Sequence, residues 1–301
     1  MNYKTVTGSR PDLVGEVNPV IGYIGHRLYP TLNTAEKTGT VYYKTLEADS
    51  AAETGRSTGV APSRTLITDS STTYSCAEAI KRYGMVRDEV KQAGGIEAAD
   101  KQGGDASQRS VQRAIEAAQI TAMFATGAAT DIGSAIISGI ETGAESVRRY
   151  GGKLAFVCSD DTYKWIVKQT EITGKLSYTF NVGGLEAADT LSVKSKLFMA
   201  MLQNIIGFDE VLIFDADQST AGIADGAGIV KLPDAAQFSH KMDPVLGKTA
   251  LYMPDGEQQF EIESFFDEDT KTNTYDCSSW YNVKTLNTGA AYIVDGLGAS
   301  S

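Results

Sequence analysis

Histidine is nearly missing from this chain: His26 and His240 are the only two among 301 residues. A histidine-based triad or zinc site therefore has little material, and a surface role is expected for each. Cysteine is also scarce. Cys76, Cys158 and Cys277 are far apart and odd in number, which suggests neither a disulfide framework nor a metal knuckle, and they read as small buried hydrophobes. No segment approaches the roughly 18 uninterrupted apolar residues that a membrane span needs. The opening MNYKTVTGSRPDLVGEV has no apolar core of a secretion signal, so a soluble protein made in the cytosol, without a membrane partner, is expected. Runs of basic residues are missing too. Residues 1–100 hold 11 basic and 12 acidic side chains, residues 101–200 hold 11 and 10, and residues 201–301 hold 5 and 16, so the last third carries the whole net charge of -11. This balance argues against a dedicated nucleic-acid binder, whose affinity comes mainly from neutralising phosphates, and reads as a means of solubility.

One stretch lacks large apolar residues altogether but for one. Between Glu47 and Thr65, nineteen residues contain Val60 as the only large apolar side chain, although strand-like sequence flanks them (VYYKTL before, TLIT after). Ordering such a stretch costs on the order of 1–2 kcal/mol per residue, roughly 20–40 kcal/mol in all, while burying one valine returns about 1.5–3 kcal/mol. The segment is either disordered or held by something outside its own fold, and a neighbouring copy of the chain is the obvious candidate. That points toward assembly rather than catalysis.

What is present reads as mixed α and β. Residues 1–35 are rich in Gly, Pro, Asn and Thr and suit an extended arm lying along another surface. Residues 40–46 and 65–79 read as strands bracketing the polar stretch. After a Gly-rich connector, QAGGIEAADKQGGD, Asp105 or Ser107 can cap a helix that carries Val111, Ile115, Ala118 and Ala122 on one face and stops at Gly127. A compact α/β module follows. Asp131 can cap a helix with Ile132, Ile136, Ile140, Ala144 and Val147; KLAFVC (153–158) is a buried strand; Ser159 caps DDTYKWIVK; and a helix over about 190–206, with Leu197, Phe198, Met201, Leu202 and Ile205, ends at Gly207 before the strand VLIF (211–214). In QFEIESFF, alternation places Phe260, Ile262 and Phe266 opposite Glu261, Glu263 and Phe265; a hairpin with TYDCSSWYNVKTL and a last strand, AAYIVDG, close the chain.

Catalytic patterns are weak. GRSTG (Gly55 to Gly59) would make Ser57 a nucleophile only at a sharp turn between a buried strand and a helix, and an Ala/Glu/Ser run with Pro62 close behind does not supply one. Gly247-Lys248-Thr249 ends like a phosphate-binding loop, but Met242 stands where the first glycine belongs; Ala-Asp-Gly-Ala-Gly (224–228) lacks a third glycine and a following helix. Both read as turns. Asp267-Glu268-Asp269 fails the spacing of a calcium loop and reads as a solvated hairpin turn. Asp215 and Asp217 sit just past VLIF, where α/β proteins place ligand-binding groups, and could hold a divalent cation beside a phosphate. Capping is the plainer reading. No catalytic, cofactor-binding or metal-ligating residue is assigned, and neither enzymatic activity nor a cofactor is expected.

Taken in order, the layout resembles the tailed-bacteriophage major capsid proteins of the Hong Kong 97-type fold. TYSCAEAIKRYGMVRDEVKQAGG (73–95) resembles the strand returning from that family's extended loop, and SQRSVQRAIEAAQITAMFATG (107–127) its spine helix. DIGSAIISGIETGAESVRRYGGKLAFVCSDDTYKWIVKQTEI with NIIGFDEVLIFDADQSTAG is similar to the central axial domain, and FEIESFFDEDTKTNTYDCSSWYNVKTLNTGAAYIVDG to the strands that close the peripheral domain. The resemblance implies an α+β chain divided into an N-terminal arm (1–35), an extended two-stranded loop (36–80), a peripheral domain with the spine helix (81–130), an axial domain (131–245) and return strands of the peripheral domain (246–301). It implies a major capsid protein that self-assembles through hexamers and pentamers into an icosahedral shell in the host cytoplasm. The virion shell would enclose double-stranded DNA without specific binding, with scaffolding, portal and decoration proteins as further partners. Because the sequence begins directly with its arm, scaffolding is expected from a separate protein or an already removed segment. Two alternatives stay open: an encapsulin-like compartment shell, and a metal-dependent transferase using Asp215 and Asp217.

Overall fold

The computed structural model describes residues 4–9, 24–44, 69–125, 129–131, 135–180, 191–215, 226–233, 245–253, 259–267 and 271–297. Strand β1 (Lys4–Ser9) is followed by a single helical turn, α1 (Gly25–Leu28), and by strand β2 (Thr31–Thr34). β3 (Thr38–Lys44) and β4 (Asp69–Ser75) form a separate antiparallel ribbon, with Thr38 opposite Ser75 and Lys44 opposite Asp69. The polar stretch 47–65 that this ribbon brackets lies outside the described residues. Strand β5 (Ala77–Val86) leads through α2 (Arg87–Gln92) into α3 (Ile96–Phe124), a helix of 29 residues.

A short strand β6 (Ala129–Asp131) opens the α/β part. It continues through α4 (Ile136–Arg148), β7 (Lys153–Ser159), α5 (Asp160–Lys168), α6 (Thr170–Phe180) and α7 (Leu191–Met201), whose last turn is π-helical (Leu202–Ile206), to β8 (Glu210–Phe214) and β9 (Ala227–Leu232). Strands β10 (Gly247–Tyr252), β11 (Glu261–Asp267), β12 (Thr272–Thr285) and β13 (Ala291–Asp295) complete the chain.

Two mixed sheets organise these elements. The five-stranded sheet runs β6-β13-β9-β7-β8, and its strands β7 and β9 are buried on both faces, which is why KLAFVC and AGIVKL are near-continuous apolar runs. Leu154, Phe156 and Cys158 pack with Ile140, Ile166, Phe198 and Leu202 of the helices on one side. Ala155 and Val157 pack with Leu28, Tyr29, Ile120 and Met123 on the other. The six-stranded sheet is built on β12, which pairs with β11 over 272–278, with β5 over 272–281 and with β10 over 280–285; β1 adds to β11 and β2 to β10. Helix α3 crosses this sheet, packing Val111 and Ile115 on Leu251, Phe260, Ile262 and Cys277, and its last two turns reach the other sheet.

The local signals for two helix ends hold. The Ser159 hydroxyl accepts from the Thr162 N–H at 3.0 Å and caps α5. Gly207 adopts φ 85° past the π turn, and Arg148 donates to the Ile206 carbonyl at 2.6 Å.

Other expectations are corrected. The connector QAGGIEAADKQGGD is largely helix, because α3 begins at Ile96 rather than near Asp105. Gly103 is there for packing: a Cβ on it would lie 2.2 Å from the Tyr275 ring, whose hydroxyl donates to Asp100 at 2.6 Å. Asp131 ends β6, and α4 begins five residues later with Ala135 as its N-cap; its first N–H groups, Ile136 and Ile137, donate to the Glu171 carboxylate at 3.0 and 3.2 Å. In the π turn the extra residue per turn rotates the apolar stripe, so Ile206 is buried and Ile205 is 52% exposed. Phe265, expected outward, is buried with the Arg82 guanidinium 5.1 Å from its ring, whereas Phe266 is exposed. Gly247-Lys248-Thr249 and Ala227-Gly228 are strand residues, not turns. Of the segment read as an arm, residues 24–34 belong to the body: Ile24, Leu28 and Tyr29 are core residues and β2 is an edge strand on β10. Strand β13 pairs with β9 and β6, so it lies in the five-stranded sheet and not with β10 to β12.

Candidate assembly surfaces

Strand β5 differs from the buried strands β7 and β9 of the five-stranded sheet. Its sequence, AEAIKRYGMV, has no single apolar face, and each of its ten residues is exposed or half-buried. Ile80 is 58% exposed, Tyr83 41% and Val86 46%. Among the described residues β5 pairs only with β12, in an unbroken antiparallel register from Thr272 opposite Val86 to Tyr281 opposite Ala77. Its other edge presents backbone N–H and C=O groups over the whole strand. Folded proteins generally blunt such an edge with a proline, a bulge or a covering element, and β5 has neither proline nor bulge.

The β3–β4 ribbon is anchored at its root. Val41, Tyr74 and Cys76 pack on Val245, Ala250 and Leu286, and the Cys76 N–H donates to the Lys37 carbonyl at 2.7 Å. The Lys37 ammonium stands 3.3 Å from the Trp280 ring centroid and 5.3 Å from that of Tyr252. The Asn282 amide donates to the Ser75 carbonyl at 2.8 Å. Farther out, Tyr42 is 63% exposed. The ribbon thus holds a fixed base for the polar segment that it brackets.

A buried polar clamp fixes the segment ahead of β2. Glu116 of α3 accepts from the N–H groups of Ile24 and, at 2.7 Å, Gly25. One turn on, the Gln119 amide donates to the Thr249 hydroxyl at 2.7 Å. Burial pushes the Glu116 carboxyl up, against the lowering effect of the two backbone donors. Arg27 of α1 donates to Glu210 of β8 at 2.6 Å, tying the same segment to the second sheet.

Asp215 is exposed at the end of β8; Asp217 lies outside the described residues, as do Ser57, Gly55, Gly59 and His240. His26 is on α1, with its pKa lowered by burial and by Arg27. All three cysteines are buried free thiols, and burial pushes Cys277 up to about 12. Among the described residues no group of three or more His, Cys, Asp or Glu could hold a metal ion, and no helix is long and apolar enough to cross a membrane. An open groove of about 550 Å³ runs between α4 and α6, lined by Ile137, Glu141, Gly174, Lys175 and Tyr178 among others. Residue patterning marked neither the exposure of β5 nor Glu116, although the resemblance had placed a returning strand within 73–95: β5 breaks the alternation expected of a strand, and Glu116 sits on a helix face where nothing local marks it as buried.

No protein-family model and no curated protein matches this sequence. Solved structures do match it over nearly its whole length. A phage-related protein from Bordetella bronchiseptica RB50 superposes with a TM-score of 0.69 at 16% identity, over 97% of this chain and 98% of the other. The capsid of the native GTA particle gives 0.57 at 11% identity, over 97% and 95%. The capsid of Cyanophage P-SCSP1u gives 0.55 at 12% identity, over 96% and 92%. The fold is therefore the one that these solved structures share, α+β in class. It is the Hong Kong 97-type fold.

Proposed function

We propose that this chain is the major capsid protein of a phage-type particle, a shell subunit that assembles with copies of itself. The observation that carries the reading is the length of the structural match: it takes in 97% of the chain, leaving no room for a separate catalytic domain within it. The exposed strand β5 and the anchored ribbon, which both present surfaces that the monomer leaves open, support it. The part of 1–35 that precedes Ile24 would then be the arm, 36–80 the extended loop, 81–130 the peripheral domain with α3 as its spine, 131–245 together with β13 the axial domain, and β10 to β12 the return strands. Hexamers and pentamers would close an icosahedral shell around the double-stranded DNA of a tailed phage, in the host cytoplasm, with scaffolding, portal and decoration proteins as partners. An acidic subunit without basic runs suits a container that encloses DNA without gripping it.

Expression followed by sedimentation and electron microscopy tests this reading: closed particles are expected, and a strictly monomeric protein under all assembly conditions would refute it. Nuclease-protected DNA in particles from infected cells supports the genome container, whereas protein cargo favours a compartment shell. Deleting Asp49 to Arg64 should leave the helical circular dichroism intact and abolish particles; normal particles would show that the loop clamps nothing between subunits.

A further inference from the structure

We propose that the open edge of β5 pairs antiparallel with β5 of a second copy about a twofold axis, in a register centred on Ile80. The inference rests on the reading of the chain as self-assembling, and it names the contact. An antiparallel pair related by a twofold axis has that axis perpendicular to the sheet, so each residue lies opposite one of the same facing parity and a residue sits opposite itself at the centre. Only same-parity registers are therefore allowed, and charge decides among them.

In β5, Glu78, Ile80 and Arg82 share the face that carries Asp276 and Ser278, as their pairing with β12 requires. Centring on Ile80 sets Ile80 against Ile80 of the other copy and Glu78 against Arg82, twice. Arg82 donates through Nε at 2.7 Å and through Nη2 to Asp276, which leaves the N–H groups of Nη1 as donors for a second carboxylate. Glu78 is exposed, and among the described residues it forms no ion pair. On the opposite face, Tyr83 would stand over Ala77 of the other copy, covering its half-open ring. Neighbouring registers are worse: centring on Glu78, Lys81 or Arg82 opposes like charges directly, centring on Ala79 puts Glu78 against Ile80, and centring on Tyr83 draws Glu78 toward Asp88. A bulge-free ten-residue strand with exposed Ile80, Tyr83 and Val86 supplies both the backbone edge and the apolar area for such a join.

Single cysteines test the contact directly, because Cys76, Cys158 and Cys277 are buried. Opposed residues in an antiparallel pair have Cα atoms about 4.5–5.5 Å apart, inside the range of about 4.4–6.8 Å that a disulfide spans. Ile80→Cys should therefore give a disulfide-linked dimer under mild oxidation, while Tyr83→Cys, roughly 20 Å from its equivalent in this register, should not. Mixing Ala77→Cys with Tyr83→Cys should restore a mixed dimer. Adding Glu78→Arg to Ile80→Cys should slow crosslinking at least tenfold, with circular dichroism confirming that each variant folds. Equal crosslinking at positions 80 and 83, none at 80, or no effect of Glu78→Arg would overturn the proposal. Particles without crosslinking at 80 would sink this contact alone; crosslinking at 80 without particles would sink the shell reading alone.

Discussion

Replacing Glu116 tests whether its two backbone donors or its burial governs the clamp. The carboxylate is buried in α3, yet it is the acceptor for the N–H groups of Ile24 and Gly25. Glu116→Ala leaves two buried donors unpaired, at about 1–3 kcal/mol each, and opens a cavity, so a loss of about 3–5 kcal/mol is expected. Glu116→Gln keeps a carbonyl oxygen for both donors and removes a charge that burial disfavours; its stability at neutral pH should lie within about 1 kcal/mol of the wild type. The pH dependence carries the sign. Because the folded pKa is raised, the native state holds its proton to higher pH than the unfolded chain. Wild-type stability therefore falls as pH rises from the ordinary glutamate value through the raised one and then levels off, a loss that the Gln variant lacks. Denaturant unfolding across pH 4 to 8, with hydrogen exchange at the amides of residues 24 and 25, measures both effects. A wild-type-minus-Gln difference that grows with pH, or an Ala variant as stable as the wild type, would refute the reasoning.

Two helix glycines should respond in opposite ways to alanine. Gly103→Ala should lose about 1–3 kcal/mol in denaturant unfolding, since its Cβ would meet the Tyr275 ring at 2.2 Å and overpacking outweighs the gain in helix propensity. Gly174→Ala meets nothing within 4 Å and should gain about 0.5–1 kcal/mol; a gain at both or a loss at both would contradict this account. Ser159→Ala should cost about 1 kcal/mol by removing the cap of α5, read as a lowered denaturation midpoint at unchanged slope.

The legible parts of this fold were those with local causes. Periodic isoleucines announced α4, a continuous apolar run announced β7, and Ser159 and Gly207 marked ends where side-chain and backbone chemistry act within a few residues. What stayed hidden depends on distant partners. The pair Gly103-Gly104 reads as a break until Tyr275, more than 170 residues later, explains why a side chain would not fit at the first of them. Leu28 and Tyr29 look like arm residues because the two sheets that bury them come from elsewhere in the chain. Phe265 and Phe266 trade places because Arg82 of another strand covers one of them. The candidate assembly surfaces were half legible: the segment 47–65, which lies outside the described residues, stood out by composition, while the resemblance marked a strand within 73–95 but not the exposure of β5, which appears only once α3 and β12 are seen to leave it open.

The pairing of β12 and β13 also sets a timetable for synthesis. β12 is the strand on which β5, β10 and β11 all hydrogen-bond, and β13 lies between β6 and β9 in the other sheet. Neither sheet can close until these two strands, residues 272–295, have left the ribosome. For most of translation the chain must therefore carry α3 and β5 without their sheet, an apolar helix face and an open strand waiting for the same late arrival.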